Sequence, residues 1–125
     1  MERSTMGWAA QDASEILSPY TYTLRNTGAE DIFLKALYCG VCHTDIHKTR
    51  GQGNHVTSYP MVSGHEVVGE VMEVGADATK FIVGDHVGVG YFVGSCGTCL
   101  ACEMSQMLGC FHWWCFYLQV LLLKD

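Results

Sequence analysis

Four of the seven cysteines lie in one short segment of the chain, with the spacing Cys96-x2-Cys99-x2-Cys102-x7-Cys110. Such close spacing lets a single loop fold back and offer four sulfurs to one tetrahedral ion. Zinc accepts four thiolates at about 2.3 Å, and a shell of four cysteines leaves no position for a substrate. An iron–sulfur cluster is the competing interpretation. In the bacterial ferredoxin pattern, however, only three residues separate the third and fourth cysteines, and a proline follows the fourth. The pattern therefore favours a structural zinc site.

A second pattern, Cys39-Gly-Val-Cys42, has the spacing of a redox-active cysteine pair. A thioredoxin-like pair opens a helix within a βαβ unit, and the sequence shows no such unit. The alternative is that, of these two cysteines, only Cys42 has a role. It would be a soft metal ligand in an open zinc site, together with His65 and Glu66. Because 22 residues separate Cys42 from His65, spacing alone does not establish this site.

The composition limits which kinds of protein this can be. With 125 residues, 49% of them apolar and 16% charged, the chain has room for one globular domain with one core. Its 7 Lys and Arg residues against 13 Asp and Glu residues give a net charge of -6, which argues against nucleic acid or anionic lipid as a partner. No basic segment followed by an apolar stretch opens the chain. We therefore expect a cytoplasmic protein whose cysteines are thiols or metal ligands.

The elements that must position these residues are predicted to be short β-strands. Residues 20–26 and 31–41 alternate side-chain character as half-buried strands do, and residues 26–28 supply the turn between them. Residues 62–94 contain nine Val and seven Gly, and no segment among them keeps a helical period for three turns. We expect short strands with tight corners there, in a compact and strongly bent sheet or barrel.

Helical signals are few, and the best one covers residues 44–48. Thr44 or Asp45 could cap a helix of one or two turns just after Cys42. The last 15 residues, 111–125, break with the rest, because 11 of them are apolar. A membrane-spanning helix needs roughly 20 apolar residues, so this segment is too short to cross a bilayer. We interpret it as an aberrant apolar tail, with a core strand or helix as the alternative.

Two motifs resemble the zinc-containing alcohol dehydrogenase family. They are Gly64-His65-Glu66-x2-Gly69-x5-Gly75-x2-Ala78, which is similar to the family signature, and Gly40-Val41-Cys42-His43-Thr44-Asp45, which is similar to its catalytic-zinc loop. Longer segments resemble plant cinnamyl alcohol dehydrogenases in particular: GWAAQDASEILSPYTYTLRNTG, YCGVCHTDIH, YPMVSGHEVVGEVMEVG and VGDHVGVG. The resemblance covers residues 7–110.

The resemblance implies a mostly β fold, a chaperonin-10-like (GroES-like) bent barrel with little helix, in a catalytic domain at residues 1–110. Within this domain a lobe at residues 95–110 would hold the structural zinc, through Cys96, Cys99, Cys102 and Cys110. The resembling enzymes use NADP(H) to interconvert hydroxycinnamaldehydes and hydroxycinnamyl alcohols in lignin formation, and the family is homodimeric. For the present chain these properties are expectations.

For the catalytic zinc, the resemblance implies that Cys42 and His65 are ligands. Glu66 would be the carboxylate that approaches or replaces the zinc-bound water. In such chemistry zinc polarises the substrate oxygen as a Lewis acid, and hydride arrives from the nicotinamide. The resemblance further implies a proton relay through Thr44 and His47, whose hydroxyl and imidazole pass the alcohol proton to solvent.

Two parts of the family pattern are not found in these 125 residues. The third protein ligand of the catalytic zinc, a second cysteine, lies downstream of the structural lobe in the family. No G-x-G-x-x-G turn at a strand-to-helix junction is present either. We therefore expect a truncated catalytic domain that lacks a Rossmann domain for NADP and is inactive by itself. The alternative is a non-catalytic zinc-binding β module.

Overall fold

The computed structural model describes residues 3–52, 57–104, 114–115 and 122–124. Strands dominate its regular structure, as the sequence predicts. In chain order the elements are β1 (Arg3–Ala10), β2 (Leu17–Leu24), β3 (Asp31–Cys39), α1 (His43–Thr49), β4 (Met61–Val62), β5 (Val67–Val74), β6 (His86–Val89), β7 (Phe92–Gly94), α2 (Leu100–Glu103), β8 (Trp114–Cys115) and β9 (Leu122–Lys124).

The strands form three sheets. The first has the order β2-β1-β4, the second has the order β6-β5-β3-β9, and the third pairs β7 with β8. Every strand pair in the described residues is antiparallel, so no βαβ unit is formed among them. In the same part of the chain, no helix is both long and apolar enough to cross a membrane.

The two strands predicted from alternation correspond to β2 and β3, but their limits differ. β2 begins at Leu17, three residues before the predicted start, because it pairs along its whole length with β1. The sequence pattern gives no prediction for β1, whose small and polar residues become a strand through that pairing. Tertiary pairing thus extends the strands beyond what local alternation indicates.

The hydrophobic core is formed mainly by side chains of three neighbouring strands, β3, β5 and β6. Its fully buried side chains include Leu34 on β3 and Val71 on β5, which are cross-strand partners. The register of this pair of strands shifts twice, between Phe33 and Leu34 and between Ala36 and Tyr38, and such irregularities bend a sheet. The core cluster consists of Ile32, Leu34, Val67, Val71, Ala78 and Val89. Residues 62–94 therefore supply bent strands and no helix, as predicted.

Gly75 lies where two segments of backbone approach each other closely. Its N–H donates to the carbonyl of Asp31 at 2.8 Å, just below the turn that contains Gly28 and Ala29. A Cβ at this position would overlap both turn carbonyl oxygens and would lie 2.6 Å from the carbonyl carbon of Ala29. Only glycine fits there without movement of the backbone, which gives one glycine of the signature motif a structural reason.

The helix α1 is one residue longer at each end than the predicted segment 44–48. Its N-cap residue is Cys42, so the expectation that Thr44 or Asp45 caps the helix is wrong. Asp45 instead occupies the third helical position and accepts a hydrogen bond from the N–H of Cys42 at 2.9 Å. This is one of the two hydrogen bonds of a capping box, the one in which the side chain at the third helical position accepts from the N-cap amide.

Most of segment 111–125 lies outside the described residues, and its interpretation as an aberrant tail stays a prediction. The described backbone forms two short strands in it. β8 pairs with β7, and β9 adds to the edge of β3, with Leu123 opposite Ile32. The alternative, a core strand or helix in this segment, stays a prediction as well.

Candidate metal centres

Cys42, His65 and Glu66 converge in space. Their candidate ligand atoms all lie within 4.8 Å of one another. Cys42 precedes α1, whereas His65 and Glu66 lie between β4 and β5. A hydrogen bond of 2.9 Å from the N–H of Gly40 to the carbonyl of Glu66 joins the two segments. His65 is buried and Glu66 is exposed, so this group of side chains faces solvent on one side. We call it the Cys42 centre.

Asp45 connects the helix to both sides of the Cys42 centre. Its Oδ1 atom accepts a hydrogen bond from Ser63 Oγ at 2.6 Å and lies 3.2 Å from Nδ1 of His65. Its Oδ2 atom accepts from the N–H of Cys42. A carboxylate on one ring nitrogen fixes the tautomer of a histidine and leaves the other nitrogen for a metal. Sequence reasoning missed the contact with His65, and the Cys42-x-x-Asp45 spacing of a capping box could have indicated only the hydrogen bond from the Cys42 amide.

Thr44 contributes to the electrostatics of Cys42. Its Oγ1 atom lies 3.7 Å from the Cys42 sulfur. Hydrogen bonds from the backbone and the side chain of Thr44, and then from His65, lower the pKa of the Cys42 thiol. A lowered pKa favours the thiolate, which is the form that binds metal. His47 lies three residues further along α1, on the same helical face as Thr44, and is exposed.

An aromatic pair borders the Cys42 centre. The ring of Tyr91 meets that of His65 edge to face, with centroids 5.4 Å apart and an angle of 89°. Phe92 packs on Tyr91 in the same manner, at 5.0 Å and 84°. Edge-to-face geometry is the favoured arrangement for such rings. The sequence analysis did not single out either residue, because the chain segment after β6 carries no motif that indicates contact with His65.

Cys96, Cys99 and Cys102 form a second cluster, with all three sulfurs within 4.8 Å of one another. The sulfurs of Cys96 and Cys102 are 3.9 Å apart, and those of Cys99 and Cys102 are 3.5 Å apart. Gly97, with φ of 70°, turns the chain between the first two cysteines, and Cys99 is the N-cap of α2. Cys110, the predicted fourth member, lies outside the described residues. We call the three described cysteines the Cys96 cluster.

The geometry of the Cys96 cluster fits zinc. Four thiolates at about 2.3 Å from a tetrahedral ion lie about 3.8 Å from one another, and the two distances given above fall on either side of that value. A disulfide would bring two sulfurs to about 2.05 Å, and none of the three cysteines forms one. The Cys42 centre offers a thiol, an imidazole and a carboxylate, which is also a zinc-type donor set.

Comparison with known proteins places the chain in a family. The model of the alcohol dehydrogenase GroES-like domain matches residues 28–121, well over half of the chain. The chain belongs to this family. The GroES-like β fold expected from the sequence motifs is thereby confirmed.

The relatives that the chain resembles include cinnamyl alcohol dehydrogenases. The chain is 63% identical over 102 residues to a probable cinnamyl alcohol dehydrogenase 1 of Aralia cordata, and 62% identical over 102 residues to cinnamyl alcohol dehydrogenase 5 of Arabidopsis thaliana. In both comparisons the match covers 82% of this chain and 28% of the relative. The chain thus spans less than a third of the length of these relatives.

Solved structures agree with the assignment of the chain to the alcohol dehydrogenase GroES-like family. A cinnamyl alcohol dehydrogenase from Sorghum bicolor superposes with a TM-score of 0.90 and 38% identity, over 98% of this chain and 39% of that one. A cinnamyl alcohol dehydrogenase from Helicobacter pylori, complexed with NADP(H), gives a TM-score of 0.85 and 35% identity, over 94% of this chain and 33% of that one. Both matches show that the described strands have the arrangement of this family.

Proposed function

We propose that this chain carries the substrate-oxygen site of a zinc-dependent cinnamyl alcohol dehydrogenase. The reaction would interconvert hydroxycinnamaldehydes and hydroxycinnamyl alcohols with NADP(H), as part of lignin formation in the cytoplasm. The observation that carries the proposal is the convergence of Cys42, His65 and Glu66 beside Thr44. Similarity to relatives named as cinnamyl alcohol dehydrogenases supports the class of substrate.

In this proposal Cys42 and His65 hold the metal, and each is prepared for that role by neighbouring groups. The lowered pKa of Cys42 favours a thiolate. The carboxylate of Asp45 binds Nδ1 of His65 and leaves Nε2 available. Glu66 supplies a carboxylate from the solvent-exposed side, where it competes with water. Zinc held there would supply Lewis-acid polarisation of the alcohol or aldehyde oxygen.

The proton of the alcohol leaves through Thr44 and His47 in this proposal. The Thr44 hydroxyl is next to the Cys42 sulfur, so it can accept a proton from an oxygen bound at the Cys42 centre. A hydroxyl can accept and donate at the same time, which suits it to pass the proton on. His47 is exposed on the same face of α1 and can deliver that proton to solvent.

The second zinc is proposed to be structural. Cys96, Cys99 and Cys102, with Cys110, would form a closed shell of four thiolates, which leaves no position for a substrate. Such a site contributes directly to folding free energy, so the metal would hold the loop that contains these cysteines in place. We also propose that the protein assembles into homodimers, as the alcohol dehydrogenase family that its sequence resembles does.

NADP does not fit the described residues. A dinucleotide is held at a glycine-rich turn between a parallel strand and a helix, and the described residues contain only antiparallel strand pairs. We therefore assign the hydride transfer to none of them and expect no oxidation of coniferyl alcohol by this chain alone. This observation also favours a second candidate function, that of a zinc-binding β module without catalysis.

Cobalt spectroscopy separates these two functions. The chain is first loaded with one equivalent of zinc and then titrated with Co²⁺, which gives a sulfur-to-cobalt absorption band when Cys42 is a ligand. Addition of coniferyl alcohol should shift the cobalt spectrum, and Cys42→Ser should lack the band while Cys39→Ser keeps it. A cobalt band that coniferyl alcohol leaves unchanged would support the β module and contradict the substrate-oxygen site.

A further inference from the structure

Two histidines on α1 lie outside the ligand set of the Cys42 centre and face each other. His43 and His47 are four residues apart, which is the spacing that places side chains on the same face of a helix one turn apart. Their ring centroids are 4.5 Å apart and their planes are inclined at 75°. Both side chains are exposed. Two imidazoles in this arrangement can direct ring nitrogens to one point above the helix.

The helix that carries this pair is held in place at both ends. At its start, Asp45 binds the N-cap amide of Cys42. At its end, the N–H of Gln52 donates to the carbonyl of His47 at 2.8 Å, and the hydroxyl of Tyr59 donates to the carbonyl of Thr49 at 2.8 Å. A short helix fixed in this way presents the two rings with little further loss of conformational freedom on binding.

We propose that His43 and His47 form a surface site for a late first-row divalent cation. This site is distinct from the Cys42 centre and from the Cys96 cluster. Neutral imidazoles at positions i and i+4 of a helix chelate such ions, as the two histidines of the H-E-x-x-H motif do with zinc. The nearest carboxylate in sequence, that of Asp45, already binds Cys42, Ser63 and His65, so the site offers two nitrogens and leaves the remaining positions to water.

The donor set determines which ions this pair prefers. Imidazole nitrogen suits nickel, copper and zinc, and the affinity of a given site for divalent ions rises from manganese to copper. The net charge of -6 also favours a cation at the surface. Since a bound ion occupies the lone pair of His47, ion binding and proton transfer by this imidazole would exclude each other.

Calorimetry with Ni²⁺ tests the proposal on the full chain without an affinity tag, loaded with one equivalent of zinc and carrying Cys42→Ser so that the Cys42 centre does not take up the ion. We expect one Ni²⁺ per chain to bind without release of zinc. Loss of one imidazole removes the chelate effect, so His43→Gln and His47→Gln should each weaken Ni²⁺ binding by at least about tenfold. His86→Gln, which removes an exposed histidine on β6, should bind Ni²⁺ as this Cys42→Ser background does.

A rearranged variant tests the spacing itself. The double substitution His43→Gln/Ile46→His keeps six histidines but places two of them next to each other, on different sides of α1. It should bind Ni²⁺ as weakly as His43→Gln, with an unchanged circular dichroism spectrum. Affinity equal to that of the Cys42→Ser background in the rearranged variant, or in both single glutamine variants, would overturn the proposal, and so would an absence of Ni²⁺ binding in that background.

Discussion

Oδ1 of Asp45 lies 3.2 Å from Nδ1 of His65, across 20 residues of sequence. The contact joins the first turn of α1 to the segment that precedes β5. Both side chains are largely buried, with 13% and 8% of their surfaces exposed. A buried carboxylate on an imidazole orients the ring more strongly than an exposed one, because little water competes for either group. Asp45 is therefore a positioning residue for the Cys42 centre.

Replacement of Asp45 should weaken metal binding at the Cys42 centre. In Asp45→Asn the amide can retain hydrogen bonds but no longer carries the charge that makes His65 a better ligand. Loss of such a partner typically costs about 10-fold to 100-fold in metal affinity. Cobalt titration of the zinc-loaded chain measures this change. Asp77→Asn, outside both clusters, is the control, and equal cobalt affinities for the two variants would contradict the role assigned to Asp45.

The Cys96 cluster should hold the tightly bound zinc of the chain. Native mass spectrometry should show one zinc ion per chain, because the predicted four-thiolate site is complete and the Cys42 centre has fewer protein ligands. Cys99→Ser should lose this ion, whereas Cys39→Ser, which removes an exposed thiol outside both clusters, should retain it. Two tightly held ions in the parent chain, or retention of zinc by Cys99→Ser, would contradict this assignment.

Gly75 should tolerate no side chain. Gly75→Ala would force the turn at Gly28 and Ala29 away from the end of β5, and overpacking of this kind typically costs about 1–3 kcal/mol of unfolding free energy. Gly88→Ala is the matched control, since a Cβ there meets no heavy atom within 4 Å. Urea unfolding, monitored by circular dichroism, measures the unfolding free energy of both variants. A loss no larger in Gly75→Ala than in Gly88→Ala would show that the turn moves without cost.

The ion pair between Arg3 and Glu73 should make stability depend on pH. Arg3 donates a hydrogen bond to the carboxylate of Glu73, and this bond is the main cause that lowers the pKa of Glu73 relative to the unfolded chain. A depressed carboxyl pKa stabilises the fold above the unfolded value, and this stabilisation is lost as pH falls through the folded value. Glu73→Gln should therefore be less stable than the parent near pH 7, and the difference should shrink below about pH 4. A difference that is the same at both pH values would contradict the linkage.

The sequence predicts the strand-rich fold because the Val and Gly of residues 62–94 act locally, through β propensity and tight corners. It predicts less well what depends on pairing. β1 is a strand because it lies beside β2, and the residues of β9 join β3 from almost a hundred positions away. Local composition carries little information about such contacts, so the limits of β2 and the place of β9 required the structure.

The Cys96 cluster could be proposed from spacing alone, since its three cysteines lie within seven residues. The Cys42 centre could not, because 22 residues separate Cys42 from His65 and only the family resemblance connected them. Asp45 and Tyr91 illustrate what neither route gave. Their contacts with His65 arise from the packing of α1 and of the segment after β6 around one buried ring.

A chimera tests most directly the proposal that the Cys42 centre of this chain acts on a hydroxycinnamyl alcohol. Residues 7–110 replace the aligned segment of the Arabidopsis thaliana cinnamyl alcohol dehydrogenase 5, to which the chain is 62% identical. Oxidation of coniferyl alcohol with NADP is then measured for the chimera and for its Cys39→Ser and Cys42→Ser forms. We predict turnover in the first two and none in the third. A folded, zinc-loaded chimera that oxidises coniferyl alcohol no faster than its Cys42→Ser form would contradict the claim.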